Sequence, residues 1–140
     1  MNIPFELWHL DMMTLPPGQA AEVAGHIEAL CRLGKEGLVR TIVEEHAEGV
    51  EVLGIAGVAP LESGVGEVFV VMAEGAPCIG FVKSVRQLLE HARVHFATIR
   101  ALGDENDGKI ERWLSWLGFV VVGAEVSPVS GKPMTLWRLA

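Results

Sequence analysis

The sequence predicts an α/β (α+β) fold in which about three helices flank a mixed β-sheet. Two amphipathic helical patterns, at residues 17–33 and 79–96, lie between runs that are rich in β-branched residues. A third and shorter helix, with signals at both of its ends, lies within residues 104–122. The predicted order along the chain is β-α-β-β-β-α-β-α-β-β, which builds a sheet with helices over its faces.

The first elements are a strand and a helix. Residues 2–10 alternate weakly between apolar and polar side chains, which predicts an opening strand. Pro16 or Pro17 then begins a helix, because the N–H that proline lacks is not needed in the first turn. We expect the helix to end near Gly34. Its predicted buried face consists of Ala20, Val23, Ala24, Ile27, Leu30 and Cys31.

A β-hairpin is predicted next. Residues 38–45 and 50–58 are rich in β-branched side chains and flank a polar turn at 46–49. Gly54 and Gly57 lie inside the second strand, where glycine weakens a strand unless another group approaches the backbone closely. They therefore indicate either the approach of a ligand or helix, or ordinary close packing.

The most apolar strand is predicted at residues 66–72, after a loop at 60–64. Its run of valine and phenylalanine predicts a position at the centre of the sheet, where both faces of a strand are buried. The long helix at 79–96 follows, and apolar residues at helical spacing predict its buried face. These residues are Val82, Val85, Leu88, Leu89 and Ala92.

The stretch 104–122 combines capping signals with an apolar stripe. Asp104, Asn106 and Asp107 can accept hydrogen bonds from the free amides of a helix that begins near Gly108. Gly118 ends that helix, because glycine adopts the left-handed conformation without a Cβ clash. The predicted stripe consists of Ile110, Trp113, Leu114 and Leu117.

The remaining β-rich runs complete the sheet. Residues 97–102 form a strand that leads into the stretch 104–122. Residues 120–126 and 134–139 flank a segment rich in proline, serine and glycine, which predicts a terminal hairpin.

The stretch 104–122 resembles the last conserved block of the GNAT acetyltransferase superfamily, in which a polar turn, a short helix and an L-G-F step lead into a paired strand. The whole pattern is most similar to the small GNAT-like proteins of tailed phages and prophages, of the podophage internal virion protein type. The block contains Asp107, Ile110, Trp113, Leu114 and Leu117-Gly118-Phe119. Features in the family order are Pro4-Phe5-Glu6 with His9-Leu10, strands 52–58 and 67–71, and the helix with Val85-Arg86.

This resemblance implies a mostly antiparallel GNAT-like sheet and acetyl-CoA-dependent N-acetyltransfer to an amine of a small molecule or protein. In the family, backbone amides in a glycine-rich turn after the central strand bind the acyl-CoA pyrophosphate. This turn departs from the family pattern, because Pro77 removes a donor and Glu74 adds a negative charge. An ordinary strand-to-helix turn is the alternative. The matching residues are Val71, Met72, Gly75, Ala76, Cys78, Ile79 and Gly80.

Acetyl transfer also needs a base, and Glu67 is the candidate. It is a lone carboxylate beside Phe69 in the strand that matches the central one of the family, where burial would raise its pKa. The alternative is a carboxylate that caps the strand in solvent. For the acid, the family commonly uses a tyrosine of the last helix, but this sequence has no tyrosine and Leu114 stands at the matching position. The acid would then be water or Cys78, or none is used.

A second hypothesis follows from these departures. The chain would keep the fold without catalysis and act in a phage virion, or in its assembly, through contacts with phage structural proteins. Under either hypothesis, the resemblance implies a location in the host cytoplasm or the virion.

Composition limits the classes of partner. The 140 residues fit one domain, 1–140, since chains of this length bury roughly 70% of their unfolded surface. The net charge of −7 argues against binding to nucleic acid or anionic membranes. Cys31 lies in an apolar helical pattern, which favours a reduced thiol and a reducing compartment. The sequence contains neither a run of roughly 18 apolar residues nor an export signal, so we expect no membrane span and no secretion.

We expect no metal site. His91 and His95 are four residues apart on a predicted helix and can share a metal, but the sequence indicates no third ligand. Residues 104–108 resemble the start of a calcium loop, yet the twelfth position is Ser115 where such a loop requires glutamate.

Overall fold

The structure is a computed structural model that describes residues 1–75, 78–106, 108–127 and 131–140, except for the side chains at 17, 18, 21, 22, 78, 79 and 104. Seven strands of the described chain form one sheet in the order β1-β2-β3-β4-β5-β7-β6. This mixed, mostly antiparallel sheet confirms the predicted fold class. The strands are β1 (Asn2–Pro4), β2 (Val39–His46), β3 (Gly49–Glu62), β4 (Val65–Met72), β5 (Thr98–Asp104), β6 (Phe119–Val126) and β7 (Pro133–Leu139).

Helices cover both faces of the sheet. Of the helices in the described ranges, none has the length and apolar character needed to cross a membrane. They are a 3-10 helix (Leu7–Met12), α1 (Pro17–Ala24), α2 (Ile27–Lys35), α3 (Cys78–Ala92) and α4 (Gly108–Leu117).

Strand β4 lies at the centre of the sheet, as its apolar sequence predicts. Its pairing with β5 is parallel and consists of Val65 with Thr98, Gly66 with Ile99, and Glu67 with Arg100. Beyond this point β4 continues in register with β3, and β5 continues in register with β7. The two central strands therefore separate, and a gap opens between them.

Two apolar cores lie on opposite faces of the sheet. One is formed by α3 and α4, where the rings of Phe81 and Trp113 stack with centroids 5.5 Å apart. The other lies under the 3-10 helix, α1 and α2, and it includes Phe5, Leu33 and Ile55. Each such side chain stabilises the fold by roughly 1.5–3 kcal/mol through burial.

The two helices of the first core follow their sequence signals. All five predicted core residues of α3 are buried, although the helix ends at Ala92, before the predicted end at 96. Helix α4 begins at Gly108, and Gly118 after it has a φ of 95°, as expected for a glycine stop. Ile110 alone departs from the predicted stripe, since it is 37% exposed. Asp107, a predicted cap, lies outside the described residues, as do positions 128–130 of the terminal hairpin.

The predicted opening strand is wrong beyond Pro4. The chain leaves the sheet and forms the 3-10 helix, because His9 is held in the core. The Nδ1 atom of His9 accepts a hydrogen bond from the Glu6 amide at 3.1 Å and lies 2.7 Å from the Thr41 hydroxyl oxygen. These contacts of His9 stabilise the 3-10 helix, whereas the alternation of apolar and polar side chains favours a strand only weakly.

The predicted helix at 17–33 is two helices. A tight turn, with the His26 amide donating to the Val23 carbonyl at 3.0 Å, separates α1 from α2 beside Gly25. Glycine disfavours a helix interior, which accounts for the break. The change of direction leaves Ile27 37% exposed and makes Leu33 a core residue. Helix α2 ends at Lys35, one residue beyond the predicted end near Gly34.

The predicted loop at 60–64 is mostly strand, because β3 continues through Pro60 to Glu62. The amide of Val58 donates to the Leu38 carbonyl just beyond the end of β2. Alternate residues of a strand face the same neighbour, so the nitrogen of Pro60 faces an edge where β2 has ended. The missing N–H of proline is tolerated at such an edge.

Gly54 and Gly57 mark close packing within the protein. A Cβ added to Gly54 would lie 2.4 Å from the Val71 carbonyl oxygen and 2.5 Å from a ring carbon of Phe81. A Cβ added to Gly57 would lie 2.4 Å from the ring of Phe69. Both interpretations therefore apply: the helix α3 approaches Gly54 through Phe81, and Gly57 packs closely against a side chain of the sheet.

We predict that Gly54→Ala lowers the free energy of unfolding by about 1–3 kcal/mol, because the methyl group forces β3 away from β4 and α3. Gly123→Ala is the control, since no atom of the described chain lies within 4 Å of its added Cβ. Urea unfolding of both variants measures the difference. Equal stability of the two variants would contradict this packing.

The second prediction concerns His9, whose pKa is lowered by burial, with the Glu6 carboxylate opposing the shift. Because the unfolded chain binds the proton more readily, the free energy of unfolding should fall as the pH drops below 6.5. His9→Gln should reduce this slope, whereas His95→Gln, which removes an exposed imidazole, should retain it. Urea unfolding between about pH 5.5 and 8 tests this, and an unchanged slope in His9→Gln would refute it.

Candidate functional site

Three charged side chains from different strands meet where β4 and β5 separate. Glu67 of β4 lies in register with Arg100 of β5, the last pair before the gap. Glu125 reaches the same place from β6. Glu67 shares its side of β4 with Phe69 and Val71, because side chains two residues apart in a strand share a face. The cluster therefore lies on the sheet face that carries α1 and α2.

Arg100 connects the two carboxylates. Its Nη1 and Nη2 atoms donate to the two carboxylate oxygens of Glu125, at 3.2 and 3.4 Å. Nη2 also lies 3.9 Å from Oε2 of Glu67, which is an ion-pair distance without a hydrogen bond. The paired geometry with Glu125 is the stronger one, since a guanidinium and a carboxylate match as two parallel bonds. The buried Nε of Arg100 has no hydrogen-bond partner in the described part of the chain.

Burial is the main influence on Glu67, whose side chain is 24% exposed. It raises the pKa of Glu67 by destabilising the charged carboxylate, and Glu125 raises it further, whereas Arg100 lowers it. Because Arg100 directs both terminal nitrogens to Glu125, it offsets only part of the rise in the pKa of Glu67 that burial causes. Glu67 thus differs from a solvated strand cap and binds a proton more tightly than an ordinary glutamate.

The predicted cofactor residues extend from the end of β4, through the connection, into the first turn of α3. Val71 packs against the α1–α2 core and Met72 against the α3–α4 core. Gly75 has a φ of 77°, and a Cβ at Gly75 or Gly80 would meet no described atom within 4 Å. The backbone at both glycines therefore has open space beside it. Ala76 and Pro77 lie outside the described residues, as do the side chains of Cys78 and Ile79.

Two amides at the start of this connection are already used within the protein. The amide of Ala73 donates to the Leu53 carbonyl and that of Glu74 to the Thr14 carbonyl, both at 2.8 Å. The amides of Ala73 and Glu74 are therefore not free to bind a ligand. The first amides of α3, from Cys78 to Gly80, have no partner within the helix by the geometry of a helix start.

No tyrosine occurs in the sequence, and Leu114 is 7% exposed within the α3–α4 core. Leu114, at the position of the family tyrosine, therefore packs in the α3–α4 core and cannot donate a proton. His91 lies in the last turn of α3, but His95 lies beyond the end of the helix at Ala92, so the predicted pair on one helix is wrong. Both side chains are exposed, and their ring centroids lie 5.3 Å apart.

Sequence reasoning missed Arg100 and Glu125. The available signal was a lone arginine between the apolar residues Ile99 and Ala101 of a predicted strand. A charge at such a position calls for a partner of opposite charge. Its partner on β6 depends on the placement of β7 between β5 and β6, which no local pattern specifies.

Solved acetyltransferases share this fold. A GNAT-family acetyltransferase from Bacillus cereus is similar with a TM-score of 0.65 and 12% identity, over 99% of this chain and 94% of that chain. A ribosomal-protein-alanine N-acetyltransferase from Brucella melitensis is similar with a TM-score of 0.65 and 19% identity, over 83% of this chain and 76% of that chain. A mutant spermidine N-acetyltransferase from Vibrio cholerae has a TM-score of 0.58 and 15% identity, over 83% of this chain and 68% of that chain. No protein-family model matches the sequence, and a search of curated proteins finds no significant match. The likeness establishes a GNAT fold.

We predict that Glu67→Gln stabilises the protein near pH 7, because the amide removes the cost of burying a charge. Since the pKa of Glu67 is raised in the folded state, its contribution to stability is lost as the pH rises through the folded pKa. The difference from wild type should therefore vanish below pH 4.5.

Thermal unfolding between about pH 4 and 8 measures this difference. The control is Glu48→Gln, which removes an exposed carboxylate in the turn between β2 and β3. A Glu67→Gln variant that is less stable than wild type near pH 7 would mean that Arg100 outweighs burial.

Proposed function

We propose that this protein transfers an acetyl group from acetyl-CoA to an amine, with Glu67 as the general base. One observation carries the proposal: a half-buried carboxylate with a raised pKa lies at the last pair before β4 and β5 separate. A base and a gap for an extended ligand are thereby adjacent in a GNAT fold. The similarity to acetyltransferases of 12–19% identity supports the same chemistry.

The gap between β4 and β5 suits the extended pantetheine arm of acetyl-CoA. Past Glu67, the edge of β4 that faces β5 has no strand partner among the residues that the structure describes, so its backbone groups need water or a ligand. We assign Val71 and Met72 to this contact. The pyrophosphate would bind the amides from Gly75 to Gly80, among them Ala76, Cys78 and Ile79, because a helix start favours anions. The exposed carboxylate of Glu74 opposes this binding.

Glu67 would take the proton of the incoming ammonium group, which makes the amine nitrogen nucleophilic. Its raised pKa brings the carboxylate closer to the pH at which such a base is effective. Acetyl-CoA supplies the acyl group as a thioester. The acceptor is an amine on a small molecule or a protein, and it reaches Glu67 from the sheet face where Leu102 and Leu136 are partly exposed.

Arg100 and Glu125 would act as positioning residues. Glu125 holds the guanidinium at 3.2 Å and so keeps it from pairing closely with Glu67. Without Glu125, the guanidinium would be free to move toward Glu67 and favour its charged form. With Leu114 at the position of the family acid, the proton for the departing thiolate would come from water.

A second candidate function is a catalytically silent phage virion or assembly protein that acts through protein contacts. The buried Leu114 favours this candidate because its side chain has no acidic proton to donate to a leaving thiolate. The exposed Glu74 favours it because its negative charge repels phosphate. If this candidate is correct, the protein is encoded by a tailed phage or prophage and is located in the host cytoplasm or the virion.

Calorimetric titration with acetyl-CoA separates the two functions. We predict binding to the wild type and to Glu67→Gln alike, because the base does not hold the cofactor. In an assay over a panel of primary amines, Glu67→Gln should lower kcat/KM by about 10²–10⁴. Absence of binding at about 1 mM acetyl-CoA would overturn the transferase proposal and favour the silent protein.

The pH dependence of kcat/KM tests the charge cluster. Its acidic limb reports the pKa of the base in the free enzyme. Glu125→Gln should move this limb to lower pH, because Arg100 then favours the Glu67 carboxylate. Arg100→Gln should move it to higher pH. Shifts in the same direction, or no shift, would exclude Glu67 as the base or Arg100 as its partner.

A further inference from the structure

The hairpin of β2 and β3 carries a second cluster of charged side chains, apart from the cleft between β4 and β5. Glu44 pairs directly with Glu51 across the two strands, and His46 pairs with Gly49 next to the turn. Glu44 and His46 share a face of β2, because they are two residues apart. The pairing therefore brings two carboxylates and an imidazole together on one side of the hairpin.

The ligand atoms of this cluster are close enough to be brought around one ion, and a hydrogen bond joins His46 to Glu51. Nε2 of His46 lies 2.8 Å from Oε2 of Glu51 and 4.0 Å from Oε1 of Glu44. One ligand atom from each residue lies within 4.8 Å of the other two. With bonds of roughly 2.0–2.2 Å, tetrahedral zinc ligands lie about 3.4 Å apart. Small side-chain rotations would produce that arrangement.

The charges also favour a cation. Carboxylates directly opposite each other on antiparallel strands repel and destabilise the pair. In the described part of the chain, the ion pairs of Glu44 and Glu51 involve His46 and neither lysine nor arginine. A divalent ion between the three side chains would replace this repulsion with attraction.

We propose that Glu44, His46 and Glu51 form a binding site for a divalent cation of the zinc type, although the sequence alone led us to expect no metal site. One imidazole nitrogen and two carboxylate oxygens suit zinc, whereas calcium and magnesium prefer oxygen ligands alone. The side chains are 45%, 46% and 56% exposed, so the ion has access from solvent and keeps a position for water. The proposal is independent of acetyl transfer.

Bound zinc would link the two strands of the hairpin and stabilise the folded chain. Among the described residues, this is the group in which three potential ligand atoms come this close. His91 of α3 and His95, just beyond the end of that helix, provide two imidazoles, and they serve as the comparison within the same molecule.

The experiment is a calorimetric titration of the full chain with zinc chloride. We predict one zinc ion per chain for the wild type, and binding at least about tenfold weaker for His46→Gln and for Glu51→Gln. The matched controls are Glu48→Gln, which removes an exposed carboxylate of the same hairpin, and His95→Gln. Both controls should bind zinc as the wild type does.

Two further measurements locate the ion. Zinc should shift the amide resonances of the β2–β3 hairpin, and it should raise the Tm of the wild type, reversibly with EDTA. The altered side chains are exposed, so circular dichroism of the variants should match the wild type. Zinc binding that survives His46→Gln, that depends on His95, or that is absent from the wild type would overturn the site.

Discussion

The separation of β4 from β5 is the constraint on which the site depends. The pairing of the two strands ends at Glu67 and Arg100, while the outer edge of β4 pairs with β3 and that of β5 pairs with β7. Backbone groups left at the inner edges need water or a ligand, so the gap is a polar opening within a largely apolar sheet. On one face of the sheet, α3 packs against β3 through Phe81 and Gly54.

The same separation concentrates charge at its inner end. Burial there would strongly destabilise an isolated carboxylate, and Arg100 offsets part of that effect for Glu67. The bidentate bond to Glu125 limits the offset. The outcome is a carboxyl group with a raised pKa at the inner end of the gap. The first turn of α3 follows β4 after a short connection, and its amides are the ones that we propose for the pyrophosphate of acetyl-CoA.

Elements with signals at their own ends could be predicted from the sequence, as α4 with its glycine stop illustrates. Elements set by distant contacts could not, and the 3-10 helix depends on the bond of His9 to Thr41. The site divides in the same way. Glu67 was recognisable as a lone carboxylate in an apolar strand, whereas Arg100 and Glu125 meet only because β7 lies between their strands.

The most direct measurement of the central claim is an amide chemical-shift titration of the protein with CoA. If the gap between β4 and β5 holds the ligand, the largest changes should occur at residues 68–72 and 78–80. Changes confined to other surfaces would contradict the account. So would cross-strand nuclear Overhauser effects that continue the β4–β5 pairing beyond Glu67 and Arg100, because the gap would then be closed.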